Sequence, residues 1–581
     1  MLTNKRQILE MVALMREHGI VDVVLCPGSR NVPIVHTISQ TEGFCCHALT
    51  DERSAGFFAL GRALATGKTV AVCVTSGSAL VNLHPAVTEA FYQQVPLLII
   101  SADRPSAWIG QMDGQTMPQT GVFGSMVKYS CCLETNDIWY VNRMVNEALL
   151  ECTHRSKGPV HINVPIEEPL YEFGTEELPS VRVIRRIEGL YPDKAREIAE
   201  LLHQSTKRMI IIGQKPADRQ VKPAYMNELN RGYVSLCENL ANCGEGSVAL
   251  NITDRLMDEV VGDRRRCAGD YRPDLVITVG GHIVSKKLKN WLRQNPPKQH
   301  WHVSPEGTIA DTFGCLTTVI EAEPYRFLEM LAYITIPIEE ESNYPQLWRT
   351  LAAETRTQTT NKPQDECAES GGESEPGMGG EGERYEGCAK MRSKCIIEGE
   401  PGTRDESKPG TRGEGDTRIS EKEIVGKLMG MLPEGAVLHL ANSSSVRYAQ
   451  EFPLHPSVTV CCNRGINGIE GCLSSAVGFA SATPERQNFV VIGDLAFFYD
   501  QNALWNRELP DNLHILLLNN HGGEIFNTLP VPDDERTRSF VMAKHHTNAE
   551  AVAQQYGLLY MNRLEDMQEF VDKGHALLEV E

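Results

Sequence analysis

Two short apolar runs, Phe489–Ile492 and Ile515–Leu518, each end in a polar signal: Gly493-Asp494 after the first and Asn519-Asn520-His521-Gly522-Gly523 after the second. Bounded runs of this length, rich in β-branched residues or leucine, read as strands buried on both faces. The 24 residues between Asp494 and Asn519 leave room for a helix, so the unit reads β-α-β. A right-handed crossover makes the two strands parallel. Asp494 and Asn520 then leave the sheet at one carboxyl edge, where open α/β sheets bind ligands. A carboxylate, an amide oxygen and a backbone carbonyl are hard donors suited to Mg²⁺ or Ca²⁺, and such ions are commonly completed by ligand phosphates. The stretch therefore predicts a metal-held diphosphate, set against the plainer alternative of a strand end followed by a turn.

The same alternation organises the first 170 residues. Val21–Leu25 precedes Pro27-Gly28-Ser29-Arg30, Thr69–Val74 precedes Thr75-Ser76-Gly77-Ser78, and Leu97–Ile100 precedes Ser101-Ala102-Asp103-Arg104-Pro105. Helical segments over Ser54–Ala65 and Ala79–Tyr92 complete a doubly wound parallel sheet with polar loops at its carboxyl edge. Cys45–Ala48 reads as a further strand leading to Asp51-Glu52-Arg53, and Glu52 falls where a helix begins. A carboxylate there is stabilised by the helix dipole whether or not it has another role.

Alternation returns over residues 191–334, where Met209–Ile212 ends in Gly213 and Leu275–Val279 ends in Gly280-Gly281. A second nucleotide-fold-like unit follows, without the Gly-x-Gly-x-x-Gly spacing that marks a dinucleotide site. Residues 358–418 shift to Gly, Glu, Ser, Pro and Arg, with Tyr385 the single aromatic residue of the stretch. Such a segment buries too little apolar surface to offset an ordering entropy of roughly 1–2 kcal/mol per residue, so a disordered linker insertion is expected. An amphipathic helix over Ile419–Leu432 then opens the last unit, and Leu577–Glu581 reads as its final strand.

Composition narrows the function. The chain has 581 residues, 41% hydrophobic, with no apolar run of membrane-spanning length and an N-terminus that leads into an amphipathic helix rather than a signal segment. A cytoplasmic enzyme is expected. Seventeen cysteines, scattered or adjacent and never spaced Cys-x-x-Cys, read as reduced thiols. A formal charge of −20 argues against nucleic acid as a partner and makes clustered arginines informative.

Gly493-Asp494 with Asn519-Asn520 resembles the diphosphate-binding signature of thiamine-diphosphate enzymes. Together with Pro27-Gly28-Ser29-Arg30, Asp51-Glu52-Arg53, Thr75-Ser76-Gly77, Ala102-Asp103-Arg104-Pro105, Asn463-Arg464-Gly465 and Ile525-Phe526, it is similar to one family of them. That family is the menaquinone-pathway synthases that make 2-succinyl-5-enolpyruvyl-6-hydroxy-3-cyclohexene-1-carboxylate. The resemblance runs from about residue 19 to residue 577, apart from the insertion, and implies a further short segment after the last strand. It also implies three doubly wound parallel-sheet domains: pyrimidine-binding (1–180), central nucleotide-fold-like (181–345) and diphosphate-binding (419–581), with the linker at 346–418.

By that resemblance the chain is a carbon–carbon bond-forming transferase that uses thiamine diphosphate with Mg²⁺ or Mn²⁺. It decarboxylates 2-oxoglutarate and adds the succinyl-semialdehyde unit to isochorismate. Glu52 is then the carboxylate that activates the aminopyrimidine, Ser76 and Ile469 touch the cofactor, and Asp494, Asn520 and the Gly522 carbonyl hold the metal. Both substrates carry two carboxylates, which calls for fixed cations, and arginine suits carboxylates because its planar fork binds them bidentately. Arg30, Arg104, Lys286, Arg447 and Arg464 match family positions, with Gln115 and Ser443 as polar partners and Phe526 and Leu529 as an apolar wall. The family's active site lies across a subunit interface, so a homodimer or homotetramer is expected. The rival readings are a pyruvate enzyme such as an acetolactate synthase or a 2-oxo-acid decarboxylase, which needs fewer cations, and a non-catalytic binding protein of the same fold.

Overall fold

Each apolar run that ends in a polar loop forms a parallel strand in the computed structural model of the protein. The structure describes residues 1–184, 198–200, 202, 205–215, 222–243, 249–262, 268–307, 310–334, 343–360, 419–507, 509–528 and 534–581. Three six-stranded sheets result, and every neighbouring pair within them is parallel. The first has the order Cys45–Ala48, Asp22–Leu25, Val70–Val74, Leu97–Asp103, Val160–Pro165, Tyr129–Cys132. The middle sheet is built around Arg208–Ile212 and Leu275–Val279, and the last around Asn488–Gly493 and Leu513–Leu518. Helices cover both faces, as all-parallel sheets require.

Two expected elements differ in extent. The helix expected over Ala79–Tyr92 is two, Ser78–Asn82 and His84–Gln93. Pro85 sits at the start of the second, where its missing N–H costs nothing, whereas inside one continuous helix it would remove a hydrogen bond. The strand expected to stop at Ile100 continues through Asp103, where Ser101, Ala102 and Asp103 pair in register with Asn163, Val164 and Pro165 of a buried neighbouring strand, and the Ser101 hydroxyl donates to Asn163 Oδ1 at 2.7 Å. The last strand is Ala576–Val580, and the helix after the linker is Glu421–Met431. Helix Tyr344–Thr360 reaches the first residues of the expected insertion at 358–418, and the remainder up to 418 lies outside the described residues.

The first and last sheets are locked together by helices Glu52–Thr66 and Cys472–Ala482. Small residues let these two backbones touch: a Cβ added at Gly61 would lie 1.9 Å from the Ser475 carbonyl oxygen, and one at Gly478 would lie 2.1 Å from that of Phe58. One continuous core runs through the seam, including Phe58, Ala59, Leu473, Ala476, Val477 and Ala480. Among the described residues, no helix is long and apolar enough to cross a membrane.

Candidate active site

Strands Asn488–Gly493 and Leu513–Leu518 pair with Gly493 opposite Leu518, so Asp494 and Asn519-Asn520 emerge side by side. Asp494, 3% exposed, begins helix Asp494–Tyr499. Its Oδ1 accepts the Leu495 N–H at 2.6 Å, and its Oδ2 accepts the Gly522 N–H at 2.8 Å and lies 3.1 Å from His545 Nε2. The Gly522 bond draws the 520–522 turn onto the carboxylate. Asn520 donates Nδ2–H to Glu421 Oε1 at 2.8 Å, which turns its Oδ1 the other way; that oxygen is buried without a partner.

A buried acceptor left unsatisfied costs about 1–3 kcal/mol, so such an atom asks for a ligand. Glu421 sharpens the demand. Burial pushes its carboxyl up, the Asn520 and Tyr448 bonds oppose this, and the charges of Asp494 and Glu524 push it further. Among the described residues no lysine or arginine pairs with Asp494. Crowded carboxylates, an orphaned amide oxygen and no side-chain cation fit a hard divalent ion bound with a diphosphate.

A cluster of cations borders the same edge. Arg464 donates Nη1–H to Asn442 Oδ1 at 2.9 Å, while its buried Nε has no partner. Loss of hydration, and then the Arg464 charge, push Arg447 down. Lys286 opens helix Lys286–Gln294 behind Ser285, whose hydroxyl accepts the Leu288 N–H at 3.2 Å. Half-buried Lys289 is pushed down first by burial; the Glu238 charge opposes this, and Arg464, Arg293 and Lys286 add to it. Among the described residues, none of Lys286, Lys289, Arg447 and Arg464 has an ion-pair partner. Ser443, at φ 74°, lies just ahead of helix Ser444–Ala449, which carries Arg447. Clustered like charges with unspent donors suit a polyanion.

The remaining candidates lie at the carboxyl edge of the first sheet. Glu52 is half-buried and accepts from Asn82 Nδ2 at 3.2 Å. Ser76 and Thr75 hold buried hydroxyls without partners. Arg30 donates to the Ile166 carbonyl at 2.9 Å and pairs with Glu168 at 3.0 Å. Arg104 donates to the Gly114 carbonyl at 2.9 Å and pairs with Asp113 at 3.1 Å. Gln115 is exposed, and its backbone packs so closely on Gly77 that a Cβ there would fall 3.2 Å from the Gln115 carbonyl oxygen.

The structure does not bring every candidate together within one chain. Glu52 has no bond to Asp494; instead its neighbours tie the domains, Asp51 accepting from Asn502 at 2.8 Å and Arg53 donating to the Tyr499 carbonyl at 2.7 Å. Ile469 is 37% exposed, Phe526 is half-buried beside Gly523, and Leu529 lies outside the described residues. His545, Glu421, Asn442 and Lys289 were not singled out by the sequence reading. No local spacing flags them, because the partners of the first three stand 51, 99 and 22 residues away.

Comparison with known proteins adds the following. Residues 10–124 match the family described as "Thiamine pyrophosphate enzyme, N-terminal TPP binding domain". A protein of Phocaeicola vulgatus is 46% identical over 568 residues, covering 97% of this chain and 91% of its own length. One of Bacteroides thetaiotaomicron is 46% identical over 579 residues, covering 98% and 93%. Both are named 2-succinyl-5-enolpyruvyl-6-hydroxy-3-cyclohexene-1-carboxylate synthase. Among solved structures, a thiamine diphosphate-dependent 4-hydroxybenzoylformate decarboxylase of Rhodococcus jostii RHA1 superimposes with a TM-score of 0.66 at 18% identity, over 99% of this chain and 98% of that one. That likeness shows the fold alone.

Proposed function

The chain belongs to the 2-succinyl-5-enolpyruvyl-6-hydroxy-3-cyclohexene-1-carboxylate synthases, and from that premise we propose how its own residues carry the reaction. The protein is a thiamine-diphosphate-dependent transferase of menaquinone biosynthesis. It decarboxylates 2-oxoglutarate and adds the four-carbon succinyl-semialdehyde unit to isochorismate.

The observation that carries the reading is Asn520. Glu421 holds its amide nitrogen, and its buried oxygen is left without a partner two residues before Gly522, whose N–H bonds the Asp494 carboxylate. Asp494, Asn520 and the Gly522 carbonyl would hold Mg²⁺ or Mn²⁺ against the diphosphate, and Ser76 and Ile469 would contact the organic part. When bound, thiamine diphosphate supplies the carbon nucleophile and the electron sink that decarboxylation of a 2-oxo acid needs. Glu52 would hold a proton at the pyrimidine ring nitrogen and so set, through the conjugated ring, the state of that ring's amino group.

Arg447, Arg464 and Lys286, with Ser443, take substrate carboxylates on one side of the site. Arg30, Arg104 and Gln115 take them on the other, while Phe526 and Leu529 form an apolar wall that keeps water from the acceptor ring. By the family's arrangement the active site would lie across the interface of a homodimer, and within one chain Glu52 and Asp494 share no hydrogen bond. The described cysteines form no disulfide, in keeping with a reducing compartment such as the cytoplasm.

The test is isochorismate consumption by purified protein with thiamine diphosphate, Mg²⁺ and 2-oxoglutarate, omitting each in turn. Consumption that needs every component, and that falls by about 100-fold or more in Glu52→Gln while cofactor still binds, is the expected result. Cofactor binding without consumption would remove the substrate assignment.

A further inference from the structure

Behind Arg464, side chains from the units of all three sheets meet at one polar junction. Glu89, on helix His84–Gln93 of the first unit, is 1% exposed. Its Oε1 accepts the Gly465 N–H at 2.7 Å and its Oε2 accepts the Ile466 N–H at 2.8 Å, both from the last unit. Gln93, one helical turn on, donates to Glu89 Oε1 and, at 3.3 Å, to the Cys462 carbonyl. Gln214, just after strand Arg208–Ile212 of the middle unit, donates to that same carbonyl at 2.8 Å and to Gln93 at 3.3 Å.

Glu89 is thus a buried carboxyl with no cationic partner among the described residues; burial pushes it up, and the Gln93, Gly465 and Ile466 hydrogen bonds oppose this. Two successive backbone N–H groups point at it, and each needs an acceptor. An apolar side chain would leave both unsatisfied, and a glutamine would offer one oxygen and set an amide N–H against the other donor. A carboxylate meets the demand with both oxygens. Gly465 belongs to the same fit, since a Cβ there would come within 2.9 Å of the Glu89 carboxylate.

The loop so held carries Arg464, and its other side is held by Asn442, which donates to the Asn463 carbonyl at 2.7 Å and the Gly468 carbonyl at 2.6 Å while accepting from Arg464. We propose that Glu89 is a positioning residue for substrate recognition: from the first unit it clamps the Gly465-Ile466 backbone, fixes where Arg464 presents its guanidinium, and so makes the polyanion site depend on docking of the units. This rests on the reading of Arg464 as a substrate-binding residue.

The experiment compares wild type, Glu89→Gln, Gly465→Ala and Arg464→Lys in steady-state kinetics with both substrates, together with calorimetric binding of thiamine diphosphate and Mg²⁺. Gly465 has no positive φ, so its alanine variant displaces the loop by contact alone and keeps the Glu89 carboxyl group. A displacement near 1 Å at a binding group costs up to about 100-fold, so Glu89→Gln and Gly465→Ala should each raise KM for at least one substrate by about 10-fold or more. That substrate should be the one whose KM rises in Arg464→Lys, with kcat and cofactor affinity changed by less than about 3-fold. Normal KM values in both Glu89→Gln and Gly465→Ala, beside an impaired Arg464→Lys, would overturn the positioning role and leave the function standing. So would a loss confined to melting temperature. Cofactor binding without turnover in the wild type would overturn both.

Discussion

Replacing Gly61 by alanine tests whether the two catalytic units are held by backbone contact. A methyl group there would lie 1.9 Å from the Ser475 carbonyl oxygen and 2.9 Å from the Phe479 nitrogen, both main-chain atoms that no rotamer change can move. Relief requires helices Glu52–Thr66 and Cys472–Ala482 to part by about 1 Å in a seam packed at crystal-like density. Overpacking of this kind costs about 1–3 kcal/mol. A gap of about 1 Å also forfeits up to half of the dispersion well of each atom pair along the seam. Alanine gains about 1 kcal/mol in helix propensity over glycine, so the net loss is about 2 kcal/mol. That corresponds to a melting temperature lower by about 4–8 °C. Gly478→Ala should act alike, its Cβ falling 2.1 Å from the Phe58 carbonyl oxygen. The double variant should cost less than the sum, because helices already parted admit the second methyl more readily. Gly430→Ala is the control: it is exposed on helix Glu421–Met431 with nothing within 4 Å of its Cβ, so it should melt at or above the wild type. Thermal unfolding followed by circular dichroism at one scan rate decides the matter. A Gly61→Ala protein that melts no lower than the wild type would refute the close-contact account.

Two further perturbations follow from buried polar groups. Asp500 is pushed up from 3.8 to about 6 by burial, against the opposing Ser474 hydrogen bonds at 2.7 and 2.8 Å and the Arg53 charge. Its folded value exceeds the unfolded one, so its contribution to stability is full below about pH 4 and is lost as pH rises through about 6, a change of about 3 kcal/mol. Asp500→Asn should flatten the stability profile between those limits, and a slope like that of the wild type in chemical denaturation across that range would disprove the assignment. Asn520→Ala removes the orphaned oxygen and should weaken Mg²⁺-dependent thiamine diphosphate binding by about 10-fold or more. Unchanged affinity by calorimetry would exclude Asn520 from the metal site.

What the sequence made legible was local. The strands of the last sheet announce themselves because a strand covered on both faces must be apolar throughout, and the polar residue that ends it marks the carboxyl edge. Gly493-Asp494 and Asn519-Asn520 could therefore be placed side by side before any coordinates, and Gly493 does stand opposite Leu518. Glu52 was placed at a helix start by the same logic, and it is the first residue of its helix. Glu89 was invisible because its partners, Gly465 and Ile466, lie 376 and 377 residues further along, and a glutamate on an amphipathic helix reads as a solvated charge. Glu421 sits in the first turn of a helix with a complete capping box formed by Ser420 and Glu423, so its own carboxylate had a ready local explanation as a helix-terminal charge. The break at His84-Pro85 was legible in principle, since a proline inside a helical pattern marks a start, but the apolar period runs through it unbroken.

Acidic residues outnumber basic ones in this chain, 76 to 56, yet its substrates are two dicarboxylates, and around the proposed site the carboxylates are used in two ways. Glu238, 2% exposed, lies close enough to Lys289 and Arg464 to feel both charges, but spends its two oxygens on the Val284 and Ser285 N–H groups, each at 2.7 Å. Glu89 does the same with Gly465 and Ile466. A carboxylate bound to backbone holds a loop in place and offsets the mutual repulsion of the cations without occupying their donors. On the first sheet's edge the solution differs, since Arg30 and Arg104 are paired with Glu168 and Asp113, whose side chains are 67% and 36% exposed. Glu168 and Asp113 reach solvent while Arg30 and Arg104 are largely buried, so in the proposed site a substrate carboxylate would compete with each for its arginine. One edge thus presents cations with no ion-pair partner among the described residues, and the other presents cations with counter-ions at the surface. Glu168→Gln should accordingly leave KM for both substrates near that of the wild type, whereas Arg30→Gln should raise it, and steady-state kinetics on the two variants would separate a displaceable counter-ion from a binding group.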